Sequence, residues 1–301
     1  VRGLLARPRL LLVLCALFWA GNFVLGRAMH DSVPPIALAF WRWLTASLLV
    51  LPFVWRALRQ HWPLLRAHLG RMLLLAVLGV SAFNTLVYVG LQTTTATNSV
   101  LIQSSMPIQI LLLNSLLFRA GVSAREVFSI LLSLSGVLVI IGVGRPWQLL
   151  DGWNHGDLWI LAAVFVWALY SVLLRWRPPG LEPGAFLGFT LLAGTVVLLP
   201  FYLAESSLVR PLVWDLPVAL TVAYVAVFPS ALAYLFWNRG VAMLGANAAG
   251  HYIHLMPVFG SSMAAVFLDE RFGWYHGVGA ALVAAGIVLS WRGRAAAGPT
   301  Q

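Results

Sequence analysis

Apolar residues run through this chain of 301 residues in blocks long enough to cross the hydrocarbon core of a bilayer, about 20 residues each. Ten blocks stand out, at 10–29, 34–54, 71–91, 95–117, 126–143, 157–175, 184–204, 216–238, 246–268 and 273–291. Each is apolar on all sides rather than along one stripe, as expected of a helix surrounded by lipid or protein. None shows the period-2 alternation of a membrane β-strand. The pattern predicts an all-α membrane protein with ten transmembrane helices.

The blocks also repeat. Trp19-Ala20 returns as Trp167-Ala168 and Arg27 as Arg175, a shift of 148. Gly90, Ala96, Met106-Pro107 and Gly136 return as Gly240, Ala246, Met256-Pro257 and Gly286, a shift of 150. Five spans per copy is an odd number, so the second copy must enter the membrane in the opposite sense, the inverted-repeat plan of many secondary transporters. The expected organisation is a first five-helix repeat over 1–145, an extracytoplasmic linker over 146–156, a second, inverted five-helix repeat over 157–291 and a cytoplasmic tail over 292–301. Arg7, Arg9 and the apolar run 10–20 imitate a secretory signal, but the internal counterpart around Trp167 marks the segment as part of the fold. The connection 55–70 is arginine-rich and has room for an interfacial helix. The connection 92–97 is short and uncharged, so spans three and four form a tight hairpin, matched at 241–245. Pro107 and Pro257 at matching places, and Pro229 in span eight, each remove a backbone donor and are expected to mark bending points. Spans five and ten carry Ser129, Ser133 and Gly136, and Gly277, Gly279 and Gly286, at separations that let helices approach closely. They are read as peripheral packing helices or a subunit contact, which fits a monomer and leaves a dimer open. The tail after Trp291 is expected to be disordered.

Composition agrees with lipid as the solvent: 61% hydrophobic residues, 9% charged and a mean hydropathy of +0.89. The net charge of +10 invites a nucleic-acid reading, but the positions of the charges refuse it. All 19 basic residues are arginine. With the amino terminus taken as cytoplasmic, only Arg27, Arg145, Arg210 and Arg271 fall outside and Arg42 falls within a span; the rest lie inside. This is the positive-inside bias, and it predicts both termini cytoplasmic. Most of the acids (Asp31, Asp151, Asp157, Glu205, Asp215, Asp269 and Glu270) fall on the other side.

Enzyme chemistry finds little support. A chain without lysine has neither a P-loop Lys nor a Schiff-base cofactor. His251 and His254 do not form the HExxH pattern, no aspartate pair lies within the spans, and Ser261-Ser262 has no base in evidence. Cys15 is the one cysteine. No catalytic residue, metal ligand or cofactor is expected. The expected partners are a small-molecule substrate and the lipid bilayer.

Polar residues inside spans should face the protein interior. Trp19, Asn22 and Gly26 share a face of span one; Trp167, Tyr170 and Ser171 form the matching face of span six. Asn84 and Tyr88 in span three are matched by Tyr234 and Asn238 in span eight, the same two residue types exchanged. Span four offers Ser99 and Gln103, span nine His251, Tyr252 and His254. This pseudo-symmetric set predicts a shared, aromatic and nearly uncharged central cavity, with aromatic rings available for stacking. Trp41, Trp43, Trp55, Trp62, Trp153, Trp176 and Trp291 lie near span ends and are read as belt anchors. Arg42, whose repeat partner is Thr190, has two roles open to it: a forked pair of hydrogen bonds to a substrate carboxylate, or snorkelling to the outer interface. The second is preferred. His251 and His254 are the candidates for a proton role, with a packed or substrate-bonding role preferred. With no Asp or Glu mid-span, the expected energetics are facilitated diffusion, net export being set by cellular production of the solute.

Two copies of five spans resemble the drug/metabolite transporter superfamily, EamA type. The resemblance is carried by Trp19-Ala20-Gly21-Asn22 in the first span and Arg42 with Ala46 in the second. In the second copy it is carried by Met256-Pro257, Leu268-Asp269-Glu270-Arg271-Phe272, Gly277, Gly279 and Gly286. In the first copy Arg119-Ala120 stands where the family acid would be, so Glu270 is assigned no transport role. The aromatic content and the basic, lysine-free chain are most similar to YddG-type bacterial exporters of aromatic amino acids. The resemblance implies an inner-membrane exporter of amino acids, aromatic ones above all, and of related amphiphilic metabolites or drugs, working by alternating access without ion coupling. The alternatives are a proton-coupled drug or neutral-metabolite carrier (sugar or nucleoside), and a non-transporting membrane assembly subunit.

Overall fold

The computed structural model describes residues 5–94, 99, 102–141, 155–267 and 273–296. Backbone groups in lipid have no water to bond, so the apolar blocks close their hydrogen bonds internally as helices. Proline opens many of them. Pro8, Pro35, Pro63, Pro107, Pro183 and Pro217 occupy the first two positions of their helices, where a missing N–H costs nothing.

In chain order the helices are α1 (Pro8–Ala28), α2 (Pro35–Gln60), the short α3 (Trp62–Ala67), α4 (Leu69–Ala76), α5 (Phe83–Gly90), α6 (Met106–Phe118) and α7 (Ala124–Ile141). There follow α8 (His155–Leu173), α9 (Pro183–Leu208), α10 (Leu216–Ala226), α11 (Ala233–Leu244), α12 (Ala246–Gly250), α13 (Leu255–Phe267) and α14 (Trp274–Ala296). A six-residue π-helical turn, Val77–Ala82, joins α4 to α5, and another, Val227–Leu232, joins α10 to α11. A 3-10 turn, His251–His254, joins α12 to α13. Among the described residues there is no strand. Six stretches are long and apolar enough to cross a membrane: Pro8–Ala28, Pro35–Gln60, Leu69–Gly90, His155–Trp176, Pro183–Leu208 and Leu216–Leu244.

Several expectations change. Spans three and eight are interrupted by π turns that start 150 residues apart; Pro229 marks the second, but nothing comparable marks the first, which has Gly79 in its place. Span nine is broken by its 3-10 turn. Pro107 starts α6 instead of kinking it. The interior prolines of unbroken helices are Pro52 in α2 and Pro200 in α9, themselves 148 apart. The helix α14 continues to Ala296, so residues 292–296 are ordered in a helix and not a disordered tail. The connection 55–70, where a helix was expected, contains the short α3. The linker residues 146–154, the hairpin residues 95–97, Glu270 with its neighbours and the tail from 297 lie outside the described residues.

The helix directions follow from a few contacts. Arg239 Nε donates to the Leu5 carbonyl at 3.4 Å, so the start of α1 meets the end of α11. Asn247 bonds Asn114 and Glu126, joining the end of α6 to the start of α7 and α12. Gly136 lies against Gly279 and Gly286 against Ser129, so α14 runs antiparallel to α7 and ends beside its start. Both described ends of the chain therefore lie at one end of the bundle. At the opposite end, Arg27 donates to the Leu91 carbonyl at 2.9 Å, and Arg210 donates to the carbonyls of His30 and Asp31. There too Glu205 receives the backbone N–H groups of Ile36 and Ala37 at 3.0 and 2.6 Å, a carboxylate on the N-terminus of α2. Asp157 holds the Thr94 hydroxyl.

Packing is paired across the halves. The helix α1 packs on α11 and α13, and α8 packs on α5 and α6; α2 packs on α9, and α7 on α14. Shifting the chain by about 150 residues turns each pairing into another of the set or into itself. The α7–α14 contact is close: a Cβ on Gly286 would stand 2.6 Å from the Ser129 carbonyl oxygen, whereas one on Gly277 would meet nothing within 4 Å. Gly286→Val should therefore cost about 1–3 kcal/mol by overpacking and lower the thermal midpoint of the detergent-purified protein. Gly277→Val, measured alongside, should leave it unchanged.

Candidate functional site

The middle of the bundle is organised by Arg42. It lies in the interior of α2, is 0% exposed, and does not snorkel. The preference stated for an interfacial Arg42 is thus overturned: neighbouring helices supply acceptors at its own depth, so the side chain has no reason to reach for the surface. Its Nε donates to Ser230 Oγ at 2.8 Å. Its Nη1 reaches Asn22 Oδ1 at 3.1 Å, Asn84 Oδ1 at 2.8 Å and Tyr88 OH at 2.6 Å. The guanidinium carbon stands 4.8 Å from the Trp43 ring centroid and 5.7 Å from that of Tyr88. No carboxylate pairs with it among the described residues. Hydrogen bonds to a charged group contribute about 1.5–3 kcal/mol each, the same order as the several-kcal/mol penalty of burying an ion. Neutral acceptors alone therefore hold this charge.

The network continues outward. Tyr88 OH donates to Asn22 Oδ1 at 2.7 Å, and Asn84 Nδ2 donates to Tyr234 OH at 3.0 Å. Tyr234 OH in turn donates to the Gly79 carbonyl, and Ser230 Oγ to the Val225 carbonyl at 2.6 Å. Both acceptors belong to backbone in or just before the π turns. Beside the network lies a cluster of rings. Trp19 and Trp167 meet edge to face at 5.0 Å, Trp167 and Tyr234 at 5.1 Å, and Trp43 and Tyr234 at 4.7 Å. Trp237 lies 5.2 Å from Trp19, and Phe83 4.6 Å from Trp167. Trp43 is thus a buried part of this cluster and not a belt anchor.

Residues equivalent by the repeat touch one another. Ser47 and Thr195 hydroxyls are 3.3 Å apart, Asn84 bonds Tyr234, and His254 Nε2 bonds the Ser104 carbonyl at 2.8 Å. Trp19 and Trp167 do the same through their rings. The exchanged Asn and Tyr make matching bonds: Tyr88 to Asn22 on one side, Tyr170 OH to Asn238 Oδ1 at 2.8 Å on the other. The correspondence fails at two places. Thr190, the partner of Arg42, turns back onto its own helix at Phe186 and Leu187. Trp19 Nε1 donates to the Pro229 carbonyl at 3.1 Å, while Trp167 Nε1 has no partner because Tyr234 has taken the equivalent Gly79 carbonyl.

Of the candidates, Trp19, Asn22, Arg42, Asn84, Tyr88, Trp167, Tyr170, Tyr234 and Asn238 are drawn into this one cluster. Ser99, Gln103, His251 and Tyr252 are buried as well. His254 has both ring nitrogens engaged, Nδ1 with Ser133 Oγ at 2.5 Å, and fastens the 3-10 turn between α6 and α7. The expected central cavity is not open at this level, because the side chains expected to line it bond one another. Open space lies nearer the end that carries the described termini. A cavity of about 340 Å³ is lined there by Asn114, Ser171, Arg175, Arg177, Asn238 and Ala246, among others, within the range of ligand pockets. Asn238 and Tyr170 separate it from the ring cluster. Half-buried Arg177, past the end of the span, has its pKa pulled below the usual arginine value by desolvation, opposed by Tyr170 and assisted by the like charge of Arg239. Among the described residues no group of His, Cys, Asp and Glu could hold a metal ion. Sequence reasoning missed Ser230, Trp43 and Trp237, whose neighbours Pro229, Arg42 and Asn238 were the available signals. It also missed the cavity arginines, which had been read as topology markers alone.

The model of the EamA-like transporter family matches residues 7–142 and again 154–292. The chain belongs to that family. An uncharacterized transporter of Bacillus subtilis, YetK, is 29% identical over 275 residues, covering 89% of this chain and 82% of its own length. An uncharacterized transporter of Archaeoglobus fulgidus is 26% identical over 287 residues, covering 95% and 97%. A chloroplastic WAT1-related protein of Arabidopsis thaliana is 25% identical and covers 90% of this chain and 66% of itself. A solved crystal structure aligns with a TM-score of 0.76 at 19% identity over 97% of this chain and 99% of its own, a likeness of fold. This is a multi-pass membrane protein of a transporter family, not an enzyme family.

The broken symmetry at the two tryptophans is testable. Trp19→Phe strands the Pro229 carbonyl, whereas Trp167→Phe removes a donor that has no partner. With the same change in volume, the first should cost about 1–3 kcal/mol more than the second, read as the difference between their thermal midpoints.

Proposed function

We propose that the chain is a bacterial inner-membrane exporter of small amphiphilic solutes, amino acids with aromatic side chains above all, working by alternating access without ion coupling. The observation that carries this is the cluster itself: one buried cation and a set of aromatic rings, contributed by both halves of the chain at the same depth. A ring cluster suits flat apolar bodies by stacking, and the polar network supplies bonding for a polar end. The described acids lie away from this cluster, which argues against a proton or sodium relay of the usual carboxylate kind.

The organisation is two inverted five-helix repeats, 1–145 and 157–291, joined by an extracytoplasmic linker over 146–156 and followed by a cytoplasmic tail over 292–301. The contacts between equivalent residues support it, since a residue meets its own counterpart only beside a two-fold axis. So does the opposite direction of α1 and α8. Arginine bias assigns the end with the described termini to the cytoplasm. The cavity then opens inward, and Arg27, Arg210 and the Thr94–Asp157 bond close the outer side. Rocking of the halves about the shared axis would exchange these roles. Trp19, Trp167, Tyr88, Tyr170, Tyr234 and Tyr252 line the solute path, and Asn22, Asn84, Ser99, Gln103 and Asn238 bond its polar groups.

Proteoliposomes should take up labelled tryptophan with no ion gradient, and uptake equal to that of protein-free liposomes would defeat the solute assignment. A requirement for a proton gradient would overturn the uncoupled mechanism and bring His251 and His254 forward. Asn238→Ala should reach the membrane at normal abundance with flux reduced about tenfold, the equivalent of one hydrogen bond of ~1–1.5 kcal/mol. Loss of abundance with the flux per molecule unchanged would assign Asn238 to folding alone.

A further inference from the structure

Resting on the exporter reading and narrowing its solute class, we propose that the solute is recognised by a carboxylate and that the amine of an amino acid has no partner, so among small amphiphilic solutes the preferred cargo is an aromatic monoanion, ahead of the zwitterionic amino acid, and the membrane potential drives its export.

Three independent observations converge. First, Arg42 is a buried guanidinium whose partners, Asn22, Asn84, Tyr88 and Ser230, are all neutral. Three of them crowd on Nη1, the places a carboxylate oxygen would take in a forked, charge-assisted pair. Second, four buried side-chain nitrogens near the centre lack a partner and can only donate: the Nε1 of Trp43, Trp167 and Trp237 and the Nε2 of Gln103. Such a site has hydrogen bonds to give and few to receive. An ionised carboxylate accepts and donates nothing; an ammonium group does the reverse. Third, the cavity that leads inward is rimmed by Arg175 and Arg177, and Arg239 lines the smaller space adjoining it. A cleft lined by one sign of charge concentrates the opposite sign.

Among the described residues no acid stands ready at the centre for an ammonium group. Glu205, Asp157 and Asp215 are spent at the far end on Ile36 and Ala37, Thr94 and Val218. Glu126 bonds Ser123, and Glu182 lies near His61. Drawn to the centre, an ammonium would instead approach the Arg42 guanidinium. The consequence is energetic as well as chemical. A monoanion moved without a counter-ion carries one charge outward per cycle, and an inside-negative potential favours that direction by about 50-fold in concentration ratio per 100 mV. An exporter of this kind needs no coupling ion, because the potential itself acts on the cargo.

The test compares 3-(indol-3-yl)propionate, tryptophan and tryptamine in proteoliposomes of the full chain, with a potassium diffusion potential set by valinomycin and protein-free liposomes as baseline. The acid should move fastest and accumulate when the lumen is positive; tryptophan should move more slowly and ignore the potential; tryptamine should stay at baseline. Transport of tryptamine or tryptophan at the rate of the acid, or an acid flux indifferent to the potential, overturns the proposal. Baseline values for all three overturn the exporter reading beneath it. Because Arg42→Gln risks misfolding, Arg177→Gln supplies a second readout at the cavity rim: KM for the acid should rise severalfold with kcat little changed. An unaltered KM would remove the rim arginines from recognition.

Discussion

A guanidinium sealed inside a bundle of apolar helices has to find its solvation in the protein, and most of the centre of this molecule is arranged to supply it. Arg42 draws the Oδ1 atoms of Asn22 and Asn84, the phenol of Tyr88 and the hydroxyl of Ser230 onto one group. Those acceptors come from α1, α5 and the second π turn, so the charge pins four separate segments, its own α2 included, at one depth. Because the partners are neutral, the cation is solvated without being neutralised. Aromatic packing closes around it, with Trp43 and Tyr88 presenting ring faces to the guanidinium.

The surrounding frame is nearly symmetric, and its departures from symmetry are informative. Contacts between equivalent residues, Ser47 with Thr195, Asn84 with Tyr234, Ser104 with His254 and Trp19 with Trp167, line up through the middle of the bundle. Asn and Tyr exchange places between the halves and still make the same bond. On the proposed reading, such a frame would let the halves exchange packings, as alternating access requires. Arg42 against Thr190, and a bonded Trp19 against an unbonded Trp167, make the two halves unequal. The π turns fall at equivalent points of α4–α5 and α10–α11, beside this network, and the carbonyls of Pro229 and Gly79 within them are what Trp19 and Tyr234 bond.

Much of this was legible in the order of residues. Lipid leaves helices as the economical answer to long apolar blocks, and a repeat in register showed which polar residues belong together, so Asn22, Asn84, Tyr88, Tyr170, Tyr234 and Asn238 were found by their spacing. Other features were not legible, for physical reasons. A π turn depends on one displaced hydrogen bond, and Val77–Ala82 has a composition no different from ordinary helix. The fate of Arg42 depended on acceptors 20 to 188 residues away in the chain, so depth along α2 alone pointed wrongly to the interface. Trp43 was misplaced with it, since an anchor and a core ring look alike until the neighbouring helix is known. Arg175 and Arg177 were counted only for their sign, as markers of orientation, while their position at the mouth of the cavity required the fold.

A structure of the carrier with an aromatic carboxylate bound is the most direct measurement. The carboxylate should lie within hydrogen-bonding distance of Arg42, with at least one of Asn22, Asn84 and Tyr88 released from Nη1 and the aromatic body against Trp19 and Trp167. A ligand bound elsewhere, with all of those bonds to Arg42 intact, would contradict the central role given to that charge.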